Sequence, residues 1–196
     1  MRKNWEVKKF EECVVKLNPP KKIKSTEYLV EGLYPIVSQD NNMISGYWNN
    51  INDVVSIEKP VIIFGDHTRV VKYVDYNFAV GADGVIILQP IKEFASKYFY
   101  YFFKSSYIPN LGYSRHYKLL KELNVLVPPL QTQHQIVEEL DSLTTIIEKQ
   151  KKQLEELDNL AQSIFYDMFG DPIENEKSWN STYFGDLFLL RSGNSL

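Results

Sequence analysis

The sequence predicts an α+β chain: a mixed, strand-rich domain over residues 1–130, one long coiled-coil helix over 131–170, and a short third segment over 171–196. Three observations carry this. Short apolar runs broken by turn residues fill the first 130 positions. Between Ile136 and Met168 apolar residues recur at alternating steps of four and three. From Lys177 onward the chain echoes its own N-terminus at a constant offset. A chain of 196 residues and 22.9 kDa accommodates one ordinary domain and an accessory element. With 44% hydrophobic and 24% charged residues, it can bury a packed core.

In the first zone, Tyr34-Pro35-Ile36-Val37, Val61 to Phe64, Val70 to Val74, Val85 to Leu88 and Val125-Leu126-Val127 read as strands. Gly32, Gly46, Gly65-Asp66, Gly81 and Asp83-Gly84 mark the turns between them. Between Pro90 and Pro109, Glu93 to Phe103 reads as a helix whose many aromatic rings suit a core packed on the sheet. A short helix is expected at about Lys118 to Leu123.

The second zone is a sustained heptad. Ile136, Leu140, Leu143, Ile147, Leu154, Leu157, Ala161, Ile164 and Met168 form its seam, with Gln150 at the one polar position. Pro128-Pro129 stops the preceding strand, Thr132 and Gln135 have capping-box spacing, and Gly170 before Asp171-Pro172 is a stop. The helix expected over 132–169 is about 57 Å long at 1.5 Å per residue, too long to bury its seam on a small domain of its own. An isologous homodimer or a helical partner is expected.

The third zone aligns Lys3-Asn4-Trp5 with Lys177-Ser178-Trp179, Phe10 with Phe184, Glu12 with Asp186 and Cys13 with Leu187, all 174 positions apart. It reads as the opening of a truncated second copy of zone one.

The net charge of −3 is uneven: residues 1–130 carry 17 Lys+Arg against 13 Asp+Glu, whereas residues 131–170 carry 3 against 8. A mildly basic body on an acidic stem suits a nucleic-acid face that excludes the stem. Apolar stretches such as Val61 to Phe64 and Val85 to Leu88 are four residues long, far short of the roughly 20 of a membrane span, and the N-terminus has no apolar signal core. The single cysteine, Cys13, cannot form an internal disulfide, and a reducing cytoplasmic setting is expected.

Catalytic signatures fail one by one. Asn18-Pro19-Pro20-Lys21 resembles an amino-methyltransferase motif, but Lys21 stands where an aromatic must stack a flipped base. His67, His116 and His134 are scattered and show no metal-ligand spacing. Glu6-Val7-Lys8 lacks an acidic partner for nuclease chemistry, no phosphate-binding glycine loop occurs, and Cys13 in its apolar run reads as core. No catalysis, metal or cofactor is expected.

Recognition chemistry is better supplied. Within Ser38 to Asn50, Ser38, Gln39, Asn41 and Asn42 offer the amides and hydroxyl that pair with base edges. Tyr113, Ser114, Arg115, His116 and Tyr117 offer a guanidinium, an imidazole and two phenols beside Gly112. His67, Arg69 and Lys72 form a third, smaller cluster.

These residues and their order resemble the DNA-specificity subunit of type I restriction–modification systems. The landmarks are Trp5 with Phe10-Glu11-Glu12; Gly32-x-Tyr34-Pro35-Ile36-Val37 before an amide-rich loop; Val61 to Asp66; Phe78-Ala79-Val80; the Tyr98-Phe99 helix; and Gly112. Val127-Pro128-Pro129-Leu130 leading into Gln133 and Ile136 is the most specific, and Leu154-x-x-Leu157 through Met168-Phe169-Gly170-Asp171-Pro172 closes the match. Thr132 stands where the family has Glu, and the Ser-Gly expected near Leu17-Asn18 occurs only at Ser192-Gly193. The resemblance implies a half-length or truncated subunit: a target recognition domain for one half of a bipartite double-stranded DNA target and a spacer and dimerisation helix. It also implies DNA methyltransferase (modification) and restriction subunits as partners, with methyl donor and ATP bound by those. Two other readings stay open: a coiled-coil assembly protein without DNA binding, and a recognition domain split from a single-chain restriction–methylation enzyme.

Overall fold

The computed structural model describes residues 5–82, 84–112 and 114–188. They form two compact units, Met1–Asp141 and Ser142–Leu196. In chain order the elements are β1 (Glu6–Lys9), α1 (Phe10–Cys13), β2 (Val14–Leu17), β3 (Lys22–Ile23), β4 (Tyr34–Val37), β5 (Gly46–Trp48), β6 (Val54–Val55), β7 (Val61–Gly65), β8 (Val71–Val74), β9 (Phe78–Gly81), β10 (Val85–Pro90), α2 (Ser96–Ser105), α3 (Tyr117–Leu120), β11 (Asn124–Val127), α4 (Leu130–Phe169) and α5 (Phe184–Leu187).

The first unit is layered around β7 and β10. These two strands pair antiparallel, Val85 opposite Gly65 and Leu88 opposite Ile62, in a sheet ordered β2-β10-β7-β8. Both are apolar runs buried on both faces. Ile62, Phe64, Ile86 and Leu88 pack with the rings of α2, while Val61, Ile63, Val85 and Ile87 pack against Val37, Val55, Phe78 and Val80 of the second sheet. The second sheet is ordered β3-β9-β4-β5, with β6 also on β9; β3 and β4 run parallel to β9. Its outer face holds Ile23, Ile36 and Ala79 under Tyr28 and Trp48. On the helix side, Phe10, Phe94, Phe99 and Phe103 contact one another, with T-shaped pairs at 5.5 Å (Phe10–Phe103) and 5.2 Å (Phe94–Phe99).

The expected strands all form. The helix expected over Glu93–Phe103 begins instead at Ser96, because Phe94 N–H closes a turn on Ile91 O at 3.0 Å. The short helix is Tyr117–Leu120 rather than Lys118–Leu123. The long helix begins two residues earlier than expected, at Leu130, so Thr132 is not its cap. Gln133 is fully buried and does a different job. Its Oε1 accepts from Ala95 N (2.8 Å) and its Nε2 donates to Glu93 O (2.9 Å) and Pro128 O (2.8 Å). One side chain thereby satisfies three backbone groups where the approach to α2 and the end of β11 meet α4. Lys97 (2.8 Å) and Tyr101 (2.5 Å) then bind Asp141 from α2. Ile136, expected in the free seam, packs with Val137 against the core.

In the second unit α4 continues without a break to Phe169 and ends at Gly170, whose φ of +74° is the left-handed C-cap that glycine adopts freely. Leu143, Ile147, Leu154, Leu157, Ile164 and Met168 are between 50% and 63% exposed. Ser192-Gly193 and the rest of 189–196 lie outside the described residues, as do Lys3 and Asn4.

Gln133→Leu keeps the bulk and orphans three backbone groups in the interior. It is expected to cost about 3 kcal/mol in urea unfolding; a loss under about 1 kcal/mol would show that water or rearrangement replaces the amide.

Candidate nucleic-acid interface

The ends of β7 and β10 that meet at Gly65 and Val85 organise a polar surface. After Gly65 the chain turns through Asp66–Arg69, with Arg69 in the left-handed region at φ 62°. Arg69 Nη1 donates to Ile108 O at 3.0 Å, which ties the turn to the segment after α2. Asp66 is buried. Its N–H donates to Gly84 O (2.7 Å), its carbonyl accepts from His116 N (2.9 Å), and its Oδ1 accepts from Tyr117 N (2.8 Å).

His116 completes this lock. Its Nε2 accepts from Leu111 N at 3.1 Å, which assigns the ring hydrogen to Nδ1, the atom 2.9 Å from Asp66 O. The ring is fully buried, so this expected reader instead positions its neighbours. Lys72, at 5% exposure, is likewise beneath the surface. Its Nζ donates to Asp40 Oδ1 (3.3 Å) and to Asn42 O. Burial pushes the Lys72 amine below its usual pKa, against the pull of Asp40. Burial acts to raise Asp40, but hydrogen bonds from Ser38 and Ser45 and the Lys72 charge outweigh it and hold the carboxyl below its usual range.

Above Lys72, the 38–45 loop is internally tied. Ser45 Oγ donates to Ser38 Oγ (2.9 Å), Asp40 N donates to Ser38 Oγ (3.1 Å) and Asn42 N donates to Asp40 Oδ1 (2.9 Å). Ser38 is buried; Asn41 and Asn42 are exposed. Gln39 joins this loop to the β7–β8 turn: its Oε1 accepts from His67 N (3.2 Å) and its carbonyl accepts from Thr68 Oγ1 (2.6 Å). Gly84, at φ +86°, lies under that amide, and a Cβ there would sit 2.5 Å from Gln39 Oε1. His67 Nδ1 lies 3.3 Å from Ser114 O, closing the circuit to the third segment. Residues 38–42, 67–72 and 114–117, remote in sequence, are thus one surface. Tyr113 lies outside the described residues.

Beside the loop is a concavity of about 490 Å³ lined by Lys16, Lys22, His67, Gly84, Arg115 and Tyr117, among others. Lys16 comes from β2 and Lys22 from β3, and neither stands out in the sequence because each is an exposed lysine on a short strand. Lys16 Nζ sits 5.1 Å from the Tyr117 ring centre and Lys121 Nζ 5.9 Å from it. Lys16, Lys22 and Arg115 are exposed cations around a hollow that the Asp66 carboxylate also lines, a net positive balance that suits an anion such as a phosphate; the neighbouring amides present donors and acceptors in pairs, as base edges do.

Residues 2–159 match the family described as the type I restriction modification DNA specificity domain. Solved chains of similar fold include the S subunit of a type I restriction–modification system from M. genitalium, 22% identical with a TM-score of 0.54 over 81% of this chain and 44% of that one. The HsdS subunit from Thermoanaerobacter tengcongensis is 17% identical, TM-score 0.54, over 87% of this chain and 46% of that one. A chain from work on complex assembly and conformational transition of the type I R-M system is 16% identical, TM-score 0.61, over 84% of this chain and 44% of that one. This chain therefore spans less than half the length of each. No curated protein sequence matches it.

The depressed Asp40 carboxyl pKa fixes a sign: the unfolded chain binds this proton more readily, so the contribution is present above about pH 4 and is lost as pH falls through the folded value. The melting-temperature gap between the native chain and Asp40→Asn is expected to be widest near neutrality and to close below about pH 4. A gap independent of pH would contradict the Asp40–Lys72 account.

Proposed function

The chain belongs to the type I restriction modification DNA specificity domain family, and on that premise we propose that its Met1–Asp141 unit reads one half of a bipartite double-stranded DNA target. The observation that carries this reading is the convergence of the amide loop and the basic hollow through Gln39, His67 and Ser114. Lys16, Lys22 and Arg115 receive backbone phosphates and set the register. Asn41, Asn42 and the edge of Gln39 face the bases. Ser38, Lys72 and His116 hold these groups from beneath, and Arg69 fixes the turn that carries His67. Tyr117 supports Lys16. The chain targets and does not catalyse. DNA methyltransferase (modification) and restriction subunits would supply methyl transfer and cleavage, and would bind the methyl donor and ATP. Among the described residues no helix is long and apolar enough to cross a membrane.

The second part of the reading concerns α4. Two copies would pair their seams, from Leu140 to Met168, as an isologous dimer. This would set two recognition units at a separation fixed by helix length, and so match the two halves of the target. The exposure of Leu143, Ile147, Leu154, Leu157 and Ile164 supports this.

Two sets of measurements test it. In anisotropy titrations against a duplex selected from a randomised pool, Lys16→Ala or Lys22→Ala should weaken all duplexes alike and reduce the salt slope by about one each. Asn41→Ala should instead erode the preference for the selected duplex by roughly 1–3 kcal/mol, and Arg115→Ala should weaken its binding. Binding that is insensitive to all four changes and to salt would favour a pure assembly protein. Light scattering should give twice 22.9 kDa for the native chain and a monomer for Leu157→Glu; a native monomer would refute the paired-helix arrangement.

A further inference from the structure

Asp40 is an anion set in a surface whose balance of charge suits DNA. Asp66, which lines the hollow, is buried at 7% exposure and its Oδ1 is taken by Tyr117 N. Asp40 is placed differently. Its side chain is 45% exposed, and it stands in sequence between Gln39 and the exposed pair Asn41 and Asn42. A carboxylate at that position repels phosphate, so a loop that had only to adhere to DNA would be better served by a neutral residue.

The fold nevertheless keeps it charged. Lys72 reaches it from β8 with a side chain only 4% exposed, its Nζ 3.3 Å from Asp40 Oδ1. An ammonium buried to that degree carries a desolvation cost, and a neutral pair at positions 40 and 72 would avoid it. Asn42 N donates to the same Oδ1, and hydrogen bonds from Ser38 and Ser45 also favour the ionised form. The contact two residues along the chain fixes where the carboxylate stands as well as its charge. The ion pair sums to zero, so distant phosphates meet no net charge. Only a group in direct contact with the exposed side of Asp40 meets an anion.

The identity of that group follows from what DNA displays. The loop joins β4 to β5, which pair antiparallel from Tyr34 opposite Trp48 to Ile36 opposite Gly46. It is therefore the tip of a two-stranded ribbon, a shape the major groove admits. An ionised carboxylate accepts hydrogen bonds and donates none, whereas the amides beside it do both. In the major groove guanine N7 and O6, adenine N7 and thymine O4 are acceptors; the donors are the exocyclic amines, cytosine N4 and adenine N6. Against guanine O6 or thymine O4 the carboxylate would leave two acceptors face to face, so it rejects as well as selects.

We propose that Asp40 determines specificity by accepting a hydrogen bond from the exocyclic amine of a cytosine or adenine in the major groove, and that it excludes guanine and thymine there. Lys72 is its positioning residue, acting from beneath without touching DNA. This rests on the DNA-reading function above. Cytosine is the better fit, because its amine has no N7 acceptor beside it for an amide to pair with.

The test is a set of cycles between residue and base, read by anisotropy with the full chain and the duplex it selects from a randomised pool. In that duplex each cytosine is replaced in turn by 2-pyrimidinone and each adenine by purine, which removes the amine alone. Every duplex is titrated with the native chain, with Asp40→Asn and, as a second variant should the first fold poorly, with Asp40→Ala. One replacement should weaken the native chain roughly tenfold and the variants far less, since they have no carboxylate for the amine to meet. Any effect of the analogue on the duplex itself is common to all the proteins and cancels. The analogue that reveals the coupling tells cytosine from adenine. Unrelated duplexes should bind the variants as well as the native chain or more tightly, because a negative charge has left the DNA face. A merely structural role would weaken every duplex alike, and that result overturns the proposal. So does a selected duplex in which each amine removal affects native chain and variants equally, though the DNA-reading function would then stand. A native chain that selects no duplex overturns both.

Discussion

The pairing of β7 with β10 is the constraint on which the rest depends. Two strands buried on both faces must each find apolar cover twice, and the period of two along a strand divides that task cleanly. Even-numbered residues of both strands face the rings of α2; odd-numbered ones face the second sheet. The same two strands finish side by side at Gly65 and Val85, so whatever follows Gly65 and precedes Val85 is held at one place. The polar surface lies there because the core leaves the chain no freedom over where those strands end.

Much of this was legible in the sequence. Val61–Phe64 and Val85–Leu88 are apolar throughout, and such runs bounded by Gly65-Asp66 and Asp83-Gly84 have few uses besides central strands. The heptad and the Gly170 stop were equally plain. Other elements were not. Glu6–Lys9 is a charged strand of a two-stranded ribbon, and its pairing with Asn124–Val127 is set by a partner more than a hundred residues away. Gly46–Trp48 pairs with Tyr34–Ile36 inside what reads as a polar loop. Both lack a hydrophobic period, and only tertiary contact makes them strands.

The candidate site divides the same way. Sequence pointed to the right segments but not to the direction of each side chain. His116 and Lys72 carry the functional groups expected of DNA readers, yet the fold turns them inward, where one closes on Asp66 and the other props Asp40 and Asn42. Lys16 and Lys22 show the converse, since an exposed lysine gains meaning only from the hollow it borders. Buried polar groups with all their partners satisfied rigidify what lies above them, and a loop that must discriminate base edges needs that rigidity more than it needs two further donors.

The long helix obeys two different physics along its length. As far as Asp141 it is held by the core, through Gln133, Ile136 and the Lys97 and Tyr101 contacts with Asp141. From Ser142 onward its apolar side chains are largely exposed, and most helical stability in proteins comes from packing an apolar face rather than from propensity. A seam of this kind gains its stability on association, so under the paired reading helix order and dimerisation are one equilibrium. Concentration, not only sequence, would then decide how much of the stem is formed, and the spacing between two recognition units would be a property of the assembled pair alone.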